Sequence, residues 1–128
     1  MRFLEPYSAQ ILGIVRIVSG LCFLEHGMTK LLNFPPGPMH PPITSLAGAG
    51  GVIELVAGTL ITLGLYSRCA AFVASGEMAV AYFLVHMKLF GGIDFFPTHN
   101  GGDAAILFCF IFLYLAAAGP GRFSVNGK

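Results

Sequence analysis

Ala47-Gly-Ala-Gly-Gly-Val-Ile-Glu-Leu-Val-Ala-Gly-Thr-Leu-Ile-Thr-Leu-Gly-Leu-Tyr66 holds a single charged residue, Glu54. A helix needs about 20 predominantly apolar residues to cross the hydrocarbon core of a bilayer. Backbone polar groups find no water there, so only helices and closed barrels span it, and a run of this length excludes a barrel strand. Three more segments of the same character flank it, at about Ser8 to Leu32, Cys69 to Met87 and Gly102 to Ala118. The sequence therefore predicts an all-α integral membrane protein, an antiparallel four-helix bundle. Residues 1–128 are read as a single four-transmembrane-helix domain, with helices at about 8–32, 47–66, 69–87 and 102–118.

Composition points the same way. Hydrophobic residues make up 55% of the chain and charged residues 10%, against about a quarter charged in a soluble domain. A net charge of +1 gives no basic or acidic bias, so no nucleic-acid partner is expected. Cys22, Cys69 and Cys109 form neither a CxxC pair nor an even set and read as packing residues. Arg16 interrupts the first apolar run, and no small-residue cleavage site closes a short one, so that segment is read as retained.

The connections are short. Asn33 to Pro42 holds five of the eight prolines, which forbids helix; Tyr66-Ser-Arg68 is a tight turn. Lys88 to Gly101, with Phe90, Phe95 and Phe96, is expected on the membrane surface. Arg2, Arg68, Arg122 and Lys128 fall on one side, Lys30 and Lys88 on the other. Basic residues favour the cytoplasm, so both termini are expected there, in a multi-pass protein of the cell inner (plasma) membrane.

Arg16, Glu54 and Glu77 are the ionisable residues deep within the apolar runs. Such residues are costly in lipid and tend to face the bundle interior. Each lies on a stripe of small residues: Gly13, Gly20 and Gly27 with Arg16; Ala47, Gly50, Gly51 and Gly58 with Glu54; Ala70, Ala74 and Ala81 with Glu77. Small residues let membrane helices approach closely, so Arg16 is expected to pair with Glu54, Glu77 or both. Such a pair can serve only to fix register. One arginine against two acids leaves a surplus carboxylate.

A second polar set lies toward the opposite end: Glu25, His26, Lys30, His86, Lys88, His99 and Asp103. No HxxxH spacing is present and no metal is expected. Asn100 and Asp103 can cap the last helix. The sequence encodes no Ser-His-Asp arrangement, phosphate loop or dinucleotide fingerprint, and no catalytic residue is assigned.

Arg16-Ile-Val-Ser-Gly20, His26-Gly27-Met-Thr-Lys30, Gly51-Val-Ile-Glu54-Leu55-Val-Ala-Gly58, Arg68-Cys-Ala-Ala71 and Phe95-Phe96-Pro97-Thr-His-Asn100-Gly101-Gly102-Asp103 together resemble the DoxX family of small four-helix membrane proteins. The likeness spans nearly the whole chain. Its last block commonly ends in Glu, where this chain has Asp103. The resemblance implies a membrane subunit or companion of a redox system, with membrane-protein assembly as a role of distant members.

The leading expectation is therefore a redox-associated membrane subunit that binds a small amphipathic ligand, such as a quinone, within the bundle. Candidate ligand-binding residues are Arg16, Glu54, Glu77, His26, Lys30, Asn100 and Asp103. Expected partners are the lipid bilayer and a second copy or a membrane or soluble redox partner. A non-enzymatic scaffold or assembly factor is the second reading and a small transporter the third.

Overall fold

In a computed structural model the chain is described at residues 1–89 and 91–128. Phe90, expected on the membrane surface, lies outside the described residues. Among these there are helices and no strands. A 3-10 segment, Arg2–Tyr7, leads into α1 (Ser8–Leu32). α2 (Leu46–Leu63) follows, then α3 (Ser67–Ala81), which continues as a π-helical turn, Tyr82–His86. A short α4 (Pro97–Asn100) precedes α5 (Asp103–Ala118).

Local chemistry sets the ends of α2. After the proline-rich loop, Ser45 takes the N-cap position and its side chain accepts the Gly48 N–H at 3.0 Å, satisfying one orphan donor of the first turn. The helix ends at Leu63, earlier than the apolar run to Tyr66 predicts, because Gly64 turns into the left-handed region at φ +69°. A side chain there would also run into Ser124.

Among the described residues three helical stretches are long and apolar enough to cross a membrane: Arg2–Leu32, Leu46–Leu63 and Ser67–His86. α5 is equally apolar but has 16 residues. α1 packs on α2, α2 on α3 and α3 on α5, while α1 and α5 touch lightly. The α1–α2 seam is made by glycine. A Cβ on Gly20 would lie 2.8 Å from Thr62 N, one on Gly58 2.8 Å from Leu24 Cα, and one on Gly27 2.5 Å from Leu55 N. Later residues of α1 thus meet earlier residues of α2. Across α3 and α5, Ser75 donates to Cys109 O at 2.8 Å.

Phe23, fully buried, joins α1 to α5 through Phe112, edge-on at 4.9 Å between centroids, and Phe108 at 5.8 Å. The outward faces are as apolar as the core: Ile14, Val18, Val56, Phe72, Val80 and Phe110 are all more than half exposed. Large apolar side chains turned outward on every long helix are what a lipid solvent favours and what water penalises. The chain is a membrane protein.

Candidate functional site

Among the described residues the charges drawn into the bundle form two centres, one at each end of the α1–α2 seam, with Glu54 and Arg16 buried and Lys30 and Glu77 half-buried. The first is built on Lys30, Glu54 and Glu77. Lys30 Nζ donates to Glu54 Oε1 at 2.7 Å. Glu54 is 2% exposed, whereas the Lys30 side chain is 21% exposed and opens to the outside. Side chains on a helix lean toward its N-terminus. Lys30, near the end of α1, therefore reaches back into the bundle, and Glu54 reaches toward the start of α2, so the two converge.

Glu77 comes from α3 to the same place. Its Oε1 lies 2.9 Å from where a Cβ on Gly50 would stand, and Lys30 Nζ lies 3.9 Å from that point. Gly50 thus leaves room for the Glu77 carboxylate to come up against α2 beside Lys30. There the hydrogen-bonding account does not close: Glu54 Oε2 and Glu77 Oε2 are both buried and have no partner among the described residues. Buried polar atoms are rarely left so. His26, exposed one turn before Lys30, sets its ring edge-on to Phe108 at 6.0 Å.

The second centre corrects the expected pairing of Arg16. Arg16 is fully buried, but it meets neither acid. Its guanidinium donates to the carbonyls of Pro120, of Arg122 at 3.1 Å and of Phe123 at 2.8 Å, and its Nε has no partner among the described residues. The reason is direction. The Arg16 side chain leans toward the N-terminal end of α1, away from Lys30, which lies about 21 Å further along the helix at 1.5 Å per residue.

That end is closed by the segment after α5. Arg122 N donates to Ala9 O at 3.0 Å, Val125 N to Leu63 O at 3.0 Å and Arg68 N to Lys128 O at 3.0 Å. Arg68 also caps the last turn of α5 through the carbonyls of Ala116, at 3.2 Å, and Ala117. Gly13 and Gly121 allow the segment to lie directly on α1. Arg16 is thus the buried fastening of this strap and is remote from the Lys30 centre.

Asn100 organises a third region. Its amide donates to Asp94 O at 2.8 Å, its Oδ1 accepts the Gly102 N–H at 2.8 Å, and its carbonyl meets His86 Nδ1 at 3.2 Å. Tyr82, the first residue of the π-turn, donates to Phe95 O at 2.6 Å. Asn100 does not cap α5 as expected, because Gly101 at φ +72° ends α4 and shifts the N-cap to Gly102. Asp103 is the exposed first residue of α5, where a negative charge suits the helix dipole. Among the described residues no group of three or more His, Cys, Asp or Glu is placed to hold a metal ion.

Of the seven candidates, Lys30, Glu54 and Glu77 come together with His26 at their edge. Asn100 serves the loop, Asp103 begins α5 and Arg16 belongs to the opposite end. Gly50 was visible only as a member of a small-residue stripe; nothing in the sequence marked it as the gap facing Glu77.

A profile of the DoxX family matches residues 11–87. An uncharacterized protein of Haemophilus influenzae is 40% identical over 134 aligned positions, covering 100% of this chain and 97% of its own length. An uncharacterized membrane protein of Mycobacterium tuberculosis is 30% identical over 127 positions, covering 89% of this chain and 78% of its own. No solved structure matches the chain.

Proposed function

The chain belongs to the DoxX family, and on that premise we propose that it is a membrane subunit or companion of a redox system. It binds a small amphipathic ligand of the quinone type at the Lys30–Glu54–Glu77 centre. The observation that carries this reading is the pair of buried carboxylate oxygens, Glu54 Oε2 and Glu77 Oε2, without partners among the described residues, where Glu77 comes up against Gly50 of α2. An apolar hollow of about 510 Å³, lined in part by Leu31, Leu55, Pro42 and Ile43, lies at the same end of the α1–α2 seam, although Lys30, Glu54 and Glu77 do not line it. Its volume falls within the usual range of small-molecule sites, roughly 300–1,000 Å³.

In this reading the four long helices form an antiparallel bundle of one domain in the inner membrane, with both termini in the cytoplasm. The residue pairings along the α1–α2 seam support the antiparallel arrangement of those two helices, and the outward apolar faces support the lipid setting. α5, about 24 Å long at 1.5 Å per residue, is the fourth span, and the light α1–α5 contact leaves room for a second copy or a redox partner.

One observation favours a scaffold instead: Arg16 is spent entirely on fastening the C-terminal segment. If the Lys30–Glu54 pair were likewise a fastening, no ligand would be needed. The two readings part on purified protein. Organic extraction of the detergent-solubilised chain followed by mass spectrometry is expected to yield a prenylated quinone, retained by wild type and lost from Glu77→Gln. No such molecule, together with no uptake of an added short-chain quinone, overturns the ligand-binding reading in favour of the scaffold.

A further inference from the structure

Resting on the reading of a four-span chain with a partner in the membrane, and not on a ligand at the Lys30–Glu54–Glu77 centre, we infer that the outward face of α1 docks a second copy of this chain, with Glu25 of each copy held by His26 of the other.

The α1–α2 seam fixes the depth of Glu25. Gly20 lies against Thr62, Leu24 against Gly58 and Gly27 against Leu55, a regular antiparallel register that sets Glu25 level with Ala57. At 1.5 Å per residue that is about 9 Å short of Leu63, the nearer end of α2, and about 10 Å short of Leu32, the nearer end of α1. On the helical wheel Glu25 stands opposite the buried stripe of Gly13, Arg16, Gly20, Phe23 and Gly27, and it is exposed. At this depth what it is exposed to is lipid. Lysine and arginine can reach an interface along their long stems; glutamate is too short.

A carboxyl group so placed is costly, and ionisable residues in the membrane pair with one another. The chain itself supplies no partner. Among the described residues the one ion pair joins Lys30 to Glu54, and Arg16 is taken up by the C-terminal carbonyls. His26 is adjacent, but successive residues on a helix point about 100° apart and do not face each other. His26 is exposed too, and its ring, edge-on to Phe108, enters no ion pair among the described residues.

An acid and a base that stand side by side without meeting are both served by one symmetry operation. Copies of a chain in one bilayer share its orientation, so a two-fold axis along the membrane normal sets their α1 helices parallel, with equal residue numbers at equal depth. Glu25 then meets His26 of the partner subunit and His26 meets Glu25 of the partner subunit, the reciprocal pattern of a two-fold contact. Each pair is neutral overall, which suits the hydrocarbon. The rest of the face fits a helix: Ile11, Val15, Val18, Cys22 and Glu25 follow by alternate steps of four and three residues and are all exposed. That is the repeat of a left-handed helix pair, and it places Cys22 on the seam, one turn before Glu25.

Cys22 is therefore the reporter, read in native membranes with a lipid-soluble oxidant. A chain that keeps Cys22 alone (Cys69→Ser, Cys109→Ser) is expected to form a disulfide-linked dimer, because a parallel seam brings the two sulfurs within bonding reach. A chain that keeps Cys69 alone, exposed at the start of α3, is expected to stay single. Glu25→Ala and His26→Ala, each added to the Cys22-only chain, remove both reciprocal bonds. Each is expected to lower dimer yield about tenfold, at roughly threefold per interhelical hydrogen bond. Co-expressed with different tags, the two variants keep one bond between unlike chains and none between like chains, so the mixed dimer is expected to exceed both like dimers.

Cross-linking at Cys22 no greater than at Cys69 overturns the inference, as does a mixed dimer no more abundant than the like ones. A different membrane protein captured at Cys22 in place of the dimer overturns it in favour of a heterologous partner. Reporter fusions that put Lys128 and the proline-rich loop on one face of the membrane overturn the depth of Glu25 and the four-span reading together, whereas a monomer with those fusions on opposite faces counts against the dimer alone. The comparison of Cys22 with Cys69 decides even if a Glu25 or His26 variant folds poorly.

Discussion

Lys30 and Glu54 meet at 2.7 Å across the α1–α2 seam, and among the described residues theirs is the one ion pair. Breaking one side of a buried pair leaves the other charge without compensation, which costs more than removing both. Lys30→Met and Glu54→Gln should each lower thermal stability in detergent, and the double variant should regain part of the loss. A double-mutant cycle is expected to give a coupling of about 1–3 kcal/mol. Independent effects of the two substitutions would mean that the pair holds nothing together.

Gly27 is predicted to be less tolerant than Gly50, for different reasons. A methyl on Gly27 would sit 2.5 Å from Leu55 N, against backbone that cannot move without parting α1 from α2. Gly27→Ala should cost about 1–3 kcal/mol, as overpacking does, seen as a lower melting temperature. Gly50→Ala meets only the end of the Glu77 side chain, at 2.9 Å. It should fold near normally yet weaken ligand uptake, and normal uptake would remove Gly50 from the site.

The C-terminal strap and Arg16 should show reciprocal dependence. Truncation after Ala118 takes away the Pro120, Arg122 and Phe123 carbonyls and strands a fully buried guanidinium. Adding Arg16→Met to the truncated chain should therefore raise its stability, although the same substitution in the intact chain should lower it. Equal effects in both backgrounds would show that the strap does not serve Arg16.

Reporter fusions after Lys128 and within Pro35 to Pro42 are expected to report opposite faces of the membrane. Both on the same face would rule out the four-span arrangement.

Much of this was legible in the sequence, and the misplacements share one cause. The all-helical chain and its apolar spans follow from run length, and the inward stripe of α1 is observed: Gly13, Arg16, Gly20 and Gly27 are all buried. The apolar runs alone put Arg16 beside Glu54 and Glu77 and leave Lys30 in the opposite polar set. The register of α1 on α2, set by contacts such as Gly27 on Leu55 and Gly20 on Thr62, is not written in either run. It puts Glu54 within one turn of Lys30 and about 18 Å along the helix from Arg16, and the lean of Cα–Cβ bonds toward a helix's N-terminus widens that separation. The strap was not legible, because Pro120 to Phe123 bear on Arg16 through backbone carbonyls, which every sequence possesses.

The strap also fixes an order of events during synthesis. Arg16 and the Pro120 carbonyl that serves it are separated by 104 positions. At about 5–20 residues per second of translation, roughly 5–20 s pass between the emergence of the arginine and that of its acceptor. Throughout that interval a hydrophobic hairpin entering the bilayer carries an unserved cation near one end. Until then only water or lipid phosphate can serve the guanidinium, so the packing around Arg16 is completed only after the last helix has been made.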